Sequence, residues 1–230
     1  MLDRSFVEKI ESMAETKVIE ADGMTFTNKP VYRVNAPEIE PLTISSLDGL
    51  VTLAKEELIQ KSFFIVQTPT SVQCESGVFC NKQRDIFYNV SADIPNINFG
   101  FFVPIEEMII NLKSKFEETP DREYLINLLG NITDTQSVNT TDDGITQQVT
   151  AKTGIQLQQK QNVKAIVRLK PYRTFTEVEQ PESDFLIRLK DGAAALFEAD
   201  GGAWKKKAKF NIAEYLKSQL SEFDKITVAE

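Results

Sequence analysis

The spacing of apolar residues along this 230-residue chain switches between the helical period of about 3.6 and the strand period of two. Residues 104–116 and 119–132 carry apolar side chains at helical spacing, which predicts a pair of helices in the middle of the chain. Residues 165–169 and 185–190 alternate apolar and polar side chains, which predicts half-buried strands. This order of elements predicts an α+β fold with a mainly antiparallel sheet, packed helices and a C-terminal helix.

The first hundred residues follow the same two patterns. Phe6, Ile10 and Met13 form one stripe of a predicted helix, and residues 45–58 predict another helix. Short strands are predicted at Val18–Glu20, Met24–Asn28, Val31–Val34, Phe63–Thr68, Ser71–Glu75 and Asp85–Val90. A boundary near residue 100 would separate an N-terminal region of helix and small strands, 1–100, from a helix pair with an antiparallel sheet, 101–230. One continuous domain fits the pattern nearly as well.

The stretch EADGGAWKKKAKF, residues 198–210, places four lysines beside the only tryptophan of the chain. Residues 193–199 alternate in polarity and size, residues 200–202 are typical of a turn with positive φ, and a second alternating run begins at Trp204. We therefore predict a hairpin here, followed by a helix from Asn211. A strand would place three lysines on one face, namely Lys205, Lys207 and Lys209.

The lysine stripe has two interpretations. Neither a Walker loop nor a dinucleotide-binding glycine pattern occurs in the chain, so no phosphate loop is indicated. Lysines on an exposed strand commonly protect the edge of a sheet from pairing, and this is the first interpretation. The alternative is a binding surface for an anionic partner.

Three arginines are predicted to lie in the same sheet region: Arg168, Arg173 and Arg188. Guanidinium groups suit phosphates, so these arginines could line a pocket for a phosphorylated or nucleotide ligand. They could instead pair with the nearby carboxylates of Glu177, Glu179 and Glu182. With the lysines and Trp204, they complete the set of candidate ligand-binding residues.

The chain contains no histidine, which excludes catalytic triads, histidine bases and imidazole metal ligands. Its formal charge of -8 argues against a general nucleic-acid binder. The two cysteines, Cys74 and Cys80, are too few for a disulfide framework or a zinc site, and we expect idle or buried thiols. No catalytic residue, metal ligand or cofactor is therefore assigned.

The N-terminal sequence MLDRSFVEKIESMAE is charged and amphipathic, without the apolar region of a signal peptide. The chain also lacks a run of the roughly 18 to 20 apolar residues that a membrane span requires. We expect a cytoplasmic protein without a membrane partner.

The segments NLLGNITDTQSVNTTDDGITQQVTAKTG, VRLKPYRTFTEVEQPESDFLIRLKDG and EADGGAWKKKAKFNIAEYLKSQL together resemble uncharacterised bacteriophage and prophage proteins of the YfdQ-like group. The similarity concerns the order of elements over residues 45–220. It implies a phage or prophage origin and carries no catalytic motif onto this chain.

These observations favour a noncatalytic phage-type accessory protein that acts by binding in the host cytoplasm, as a homo-oligomer. Its expected target is an anionic nucleotide-like molecule that it sequesters or a host defence protein that it blocks. The alternative is a nucleic-acid-binding accessory factor of phage DNA metabolism, with Trp204 or Tyr172 stacking on bases. An enzyme using carboxylates or lysine is a third hypothesis.

Overall fold

The computed structural model describes residues 3–21, 24–28, 40–57, 61–78, 84–133, 138–142, 147–152 and 158–230. The chain divides into two compact units, Met1–Ile39 and Glu40–Glu230. The first unit contains helix α1, Arg4–Ala14, and an antiparallel hairpin of β1, Val18–Ala21, and β2, Met24–Thr27. These elements match the predicted helix and the first two predicted strands. The run Val31–Val34 lies outside the described residues.

The apolar stripe of α1 is present but uncovered. Phe6, Ile10 and Met13 are 51%, 51% and 68% exposed, and no side chain of α1 is buried. Helical periodicity predicts which side chains share a face, but it does not tell whether another element covers that face.

The second unit contains a five-stranded sheet in the order β14-β4-β5-β6-β3. Its strands are β3, Leu42–Ile44; β4, Ser62–Thr68; β5, Ser71–Ser76; β6, Ile86–Ser91; and β14, Ile226–Ala229. Strands β4, β5 and β6 are antiparallel, as their short connections require, whereas β14 and β3 add to the edges in parallel. The three predicted central strands are confirmed, and the two edge strands were not predicted.

Two helices cover this first sheet: α2, Leu47–Glu57, and α5, Ala203–Gln219. Leu50 and Ala54 of α2 and Ile212 and Leu216 of α5 are fully buried in one apolar core with Phe64 of β4. The same core takes Phe175 and Val178 from the second half of the chain. Side chains from before and after residue 100 in the sequence therefore contribute to this core.

A four-stranded antiparallel sheet in the order β11-β12-β13-β7 forms the second layer of structure. Its strands are β7, Val103–Pro104; β11, Ile166–Leu169; β12, Ser183–Lys190; and β13, Ala193–Glu198. The predicted helix pair, α3, Ile105–Lys115, and α4, Pro120–Thr133, packs on one face of this sheet. Leu112, Leu125 and Leu129 bury their side chains there against Val167 and Phe185.

A separate three-stranded antiparallel sheet contains β8, Val138–Asp142; β9, Gln147–Lys152; and β10, Gln158–Asn162. With the two larger sheets and the five helices of the described residues, it confirms the predicted α+β class. No helix among the described residues has the length and apolar character needed to cross a bilayer.

The predicted second hairpin strand over residues 204–210 is wrong, because these residues form the first two turns of α5. Ala and Lys are strong helix formers, and Asp200 caps the helix through its side chain. Its carboxylate accepts hydrogen bonds from the backbone N–H groups of Gly202, at 3.0 Å, and Trp204, at 3.2 Å. Gly201 and Gly202 adopt the positive φ that was expected of a turn, but the turn leads into a helix.

As a consequence the predicted lysine stripe does not exist. On a helix Lys205 and Lys209 are neighbours at four residues' spacing, whereas Lys207 projects from another side. The three ammonium groups therefore do not form the single row that a strand would have given.

Candidate ligand-binding cleft at Trp204

The segment between β11 and β12 is a folded loop. Only an isolated bridge between Pro171 and Phe116 has strand geometry there. The loop instead folds around the side chain of Gln180, which is 1% exposed. Backbone groups of the loop that would have been paired in a sheet form hydrogen bonds with the side-chain amide of Gln180 instead.

The amide of Gln180 bonds to several backbone groups of the loop. Its Oε1 accepts from the N–H groups of Arg173, at 3.1 Å, and Thr174, at 3.3 Å, and its Nε2 donates to the carbonyl of Phe175 at 3.0 Å. Buried backbone groups need such partners. This loop thus holds Arg173 in place and sends Phe175 into the core of the first sheet.

Arg173 is the centre of the candidate site. Its side chain is buried, and its guanidinium carbon lies 3.9 Å from the ring centroid of Trp204 and 5.6 Å from that of Phe185. Nη1 donates to Oε1 of Glu198 at 2.7 Å, and Nη2 donates to the hydroxyl of Ser183. Guanidinium stacking on an indole combines cation–π attraction with planar packing.

Asp200 joins this arginine to helix α5. The Ser183 hydroxyl that accepts from Arg173 donates in turn to Oδ2 of Asp200 at 2.8 Å. Burial raises the pKa of Asp200, but the hydrogen bonds from Ser183 and from the N–H groups of Gly202 and Trp204 outweigh it, so the net pKa is lowered. The carboxylate is therefore charged at neutral pH and anchors both the helix cap and the arginine.

Burial lowers the pKa of Arg173 to about 10, although Glu198 and Asp200 oppose this effect. The guanidinium thus remains a cation at neutral pH. Because two carboxylates already neutralise it, Arg173 offers hydrogen-bond donors and a planar surface more than it offers uncompensated charge.

Two buried donors of the stacked pair have no partner among the described residues: Nε of Arg173 and Nε1 of Trp204. A buried donor without an acceptor costs about 1–3 kcal/mol, and native structures contain few of them. Both occur in two side chains that contact each other and line the same cleft. A small shift of the two side chains would uncover these donors to an incoming acceptor, which would offset this cost.

The cleft beside the pair has a volume of about 460 Å³, within the range of small-molecule sites. One wall is the segment 94–97 with Phe99, which Lys115 anchors by donating to the carbonyl of Asn96 at 2.8 Å. The remaining wall residues are Tyr172, Arg173, Glu198, Trp204 and Lys205. We call this space the Trp204 cleft.

A second cavity of about 260 Å³ also borders Trp204. Arg168 and Lys207 line it together with the acidic residues Glu182, Asp184 and Asp200. Arg168 lies 3.3 Å from Asp184 in an ion pair. Acidic groups outnumber basic ones here, so this cavity is less suited to an anion than the Trp204 cleft.

The structure thus divides the candidate residues of the sequence analysis. Arg173, Trp204 and Lys205 meet in the Trp204 cleft together with Tyr172. Arg168 and Lys207 lie with Trp204 at the second cavity. Lys209 and Arg188 line neither of these two cavities.

The ion-pair partners of the arginines also differ from those expected. Arg173 pairs with Glu198 and Arg168 with Asp184, whereas Arg188 donates to the carbonyl of Ile187. Two of the three glutamates proposed as partners have other roles. Glu177 accepts from the N–H of Leu47 at the start of α2, and Glu179 pairs with Lys170.

Cys74 is a free, fully buried thiol, and burial raises its pKa to about 12. This position fits the expectation of an idle thiol, and Cys80 lies outside the described residues. Within the part of the chain that the structure describes, no three acidic or cysteine side chains cluster as metal ligands.

Comparison of the chain with protein-family models, with curated proteins and with solved structures finds no match. A function for this protein therefore has to be inferred from the geometry of the Trp204 cleft.

Proposed function

We propose that this protein is a noncatalytic binding protein whose Trp204 cleft takes a small, planar, anionic ligand of the nucleotide type. One observation carries the proposal: the stacked pair of Arg173 and Trp204 holds two buried donors without acceptors at the wall of a cleft of about 460 Å³. A ligand with acceptor atoms on a flat ring would provide a surface for stacking and, once the two side chains shift to uncover their donors, the missing acceptors.

The other residues of the cleft support this class of ligand. Tyr172, Phe99 and Trp204 provide aromatic surface, and Asn96 provides an amide that can both donate and accept. Lys205 is exposed at the rim and carries the cationic charge that an anionic group would meet. Because Glu198 neutralises Arg173, the cleft suits a ligand of one or two charges better than a polyphosphate.

The ionisation of the cleft supports binding over catalysis. Burial lowers the pKa of Arg173 only to about 10, so the guanidinium stays protonated at neutral pH. General acid–base catalysis favours a group whose pKa lies near the working pH. The phage-type setting inferred by resemblance, with sequestration of a nucleotide signal or blocking of a host defence protein in the host cytoplasm, remains part of this proposal.

The nucleic-acid alternative has less support, because the helix α5 separates Lys207 from Lys205 and Lys209. A chain of net charge -8 would need a continuous basic surface to bind a phosphate backbone. Tyr172 and Trp204 could still stack on a single-stranded base within the cleft, so a short oligonucleotide belongs among the ligands to be tested.

The intrinsic fluorescence of the protein offers a direct test, because Trp204 is its only tryptophan. Nucleoside monophosphates, cyclic nucleotides and a short oligonucleotide would be titrated to about 1 mM, a range that detects even weak binding. We expect saturable quenching by at least one mononucleotide. Binding of the oligonucleotide alone would favour the alternative function.

Matched lysine variants locate the binding site. K205A should weaken binding by about 3- to 10-fold, since one exposed charge contributes about 1 kcal/mol, whereas K206A and K209A should leave it unchanged. No response to any ligand, or equal losses in all three variants, would contradict the proposal.

A further inference from the structure

One acidic side chain of the Trp204 cleft keeps acceptor capacity for a ligand. Glu198, at the end of β13, is the only acidic residue among the described residues that line this cleft, and its side chain is 36% exposed. Its Oε1 accepts from Nη1 of Arg173 at 2.7 Å, whereas its Oε2 takes no hydrogen bond from the described part of the chain. Each carboxylate oxygen has two lone pairs, so both oxygens of Glu198 can accept from a ligand.

The nearby carboxylate of Asp200 is already occupied. Its Oδ1 accepts from the N–H of Gly202, and its Oδ2 accepts from the Ser183 hydroxyl and from the N–H of Trp204. Asp200 also lines the second cavity and not the Trp204 cleft. Glu198 is therefore the carboxylate that a ligand in the cleft would meet.

Hydrogen-bond donors stand directly beside this carboxylate. Arg173, which is bonded to Glu198, and Trp204, which stacks on Arg173, hold the two buried donors without acceptors. The wall thus presents donors next to a carboxylate. A flat ring complementary to this order needs an acceptor atom followed by neighbouring donor groups along one edge, since a carboxylate with two oxygens pairs best with two donors.

Guanine is the common nucleobase that carries this order. Its Watson–Crick edge presents the O6 acceptor, the N1–H donor and the N2 amino donor in a row. Adenine and cytosine present one donor group on that edge, and uracil presents one N–H between two acceptor oxygens. An acceptor placed against a carboxylate is left unpaired and is repelled, so guanine gains a hydrogen bond that the other bases cannot form.

We propose that the Trp204 cleft is specific for guanine, with Glu198 accepting from N1–H and the N2 amino group, and with O6 directed at the donors of Arg173 and Trp204. This inference rests on the proposed function and specifies the base of its ligand. Enzymes that take up a single base read it in this way, through its Watson–Crick edge and the faces of its ring. Lys205, at the rim, would meet the phosphate.

Three mononucleotides that differ only in their base edge test the specificity. Isothermal titration calorimetry of the full chain gives the dissociation constants of guanosine, inosine and adenosine monophosphate (GMP, IMP and AMP). IMP is GMP without the N2 amino group. We expect GMP to bind at least about 10-fold more tightly than AMP, with IMP between them, because hydrogen bonds to a charged group are the stronger ones and a mismatched base leaves them unmade.

Matched glutamine variants assign the specificity to one side chain. E198Q keeps the size of the side chain but replaces an acceptor oxygen by a donor amide, so the preference for GMP over AMP should fall to within about 3-fold. The lost negative charge affects both anions alike, so the ratio of their dissociation constants isolates recognition of the base. E182Q removes the same charge at the second cavity and should keep the wild-type ratio. Both glutamates are exposed, and circular dichroism checks that the variants fold.

The outcomes separate this inference from the proposed function. Equal binding of GMP and AMP by the wild type, an unchanged ratio in E198Q, or an equal loss of the ratio in E182Q would overturn guanine recognition by Glu198 and leave a nucleotide-binding cleft. Absence of binding by all three mononucleotides would overturn the proposed function itself, and the guanine inference with it.

Discussion

At the scale of the residue, the candidate site depends on polar side chains that sequence patterns do not distinguish. Gln180, Ser183 and Asp200 are ordinary surface residue types, yet Gln180 and Ser183 are buried and all three take part in the hydrogen bonds around Arg173. Of these three residues, only Asp200 could have been identified from the sequence, because Asp, Ser, Thr and Asn before a helix commonly cap its N-terminus.

We expect Q180A to lower the free energy of unfolding by about 2–4 kcal/mol, because it leaves buried backbone donors and acceptors of the loop without partners. Urea titration followed by circular dichroism measures the change. The exposed Gln219 provides the control, since Q219A should shift the free energy by less than about 0.5 kcal/mol. A Q180A variant as stable as the control would mean that the amide does not organise this loop.

At the scale of the element, the main error concerned α5. Seven residues of alternating size are compatible with a strand and with two helical turns, and short runs are often ambiguous in this way. The cap by Asp200 and the burial of Ile212, Ala213 and Leu216 against the first sheet favour the helix. The long-range packing of α5 was not visible in residues 198–210.

Another contact between elements gives a pH prediction. Asp121, in the first turn of α4, accepts from Nζ of Lys164 and from the N–H of Arg168, both at 2.8 Å. Burial raises the pKa of Asp121, but the hydrogen bonds and the positive charges of Lys164 and Arg168 outweigh it and lower the net pKa below 3.8. A carboxyl group whose pKa is lower in the folded than in the unfolded state stabilises the fold at pH values above its unfolded pKa. This contribution disappears as the pH falls through the folded pKa.

We therefore expect D121N to be less stable than the wild type at pH 7, with the difference shrinking as the pH falls below about 4. Thermal unfolding across this pH range measures the difference, and D93N, at an exposed position, serves as the control. A difference that stays constant with pH would show that the charge of Asp121 does not contribute.

At the scale of the whole molecule, the order of elements along the chain does not match their grouping in space. Helix α5 follows β13 of the second sheet but packs on the first, and Phe175 from the loop after β11 enters the same core. Residues 40–230 therefore form one compact unit with two apolar cores.

The unit of residues 1–39 gives a prediction at this scale. The side chains of residues 3–20 and 24–28 in this unit are exposed, including the whole of α1. We expect residues 40–230 alone to unfold in calorimetry with a midpoint within about 2 °C of that of the full chain, because the described residues of the first unit bury no side chain. A midpoint lower by more than about 5 °C would show that the N-terminal unit stabilises the rest.

By itself the sequence determined the fold class, the helix pair and the central strands, because periodic burial leaves its mark on each segment separately. It also identified Arg173, Trp204 and Lys205 as candidates without showing which of the seven residues would meet. Tertiary structure decided that α5 is a helix, that Lys207 lies apart from Lys205 and Lys209, and that Arg173 stacks on Trp204. These outcomes depend on contacts between residues far apart in the chain, which no local pattern records.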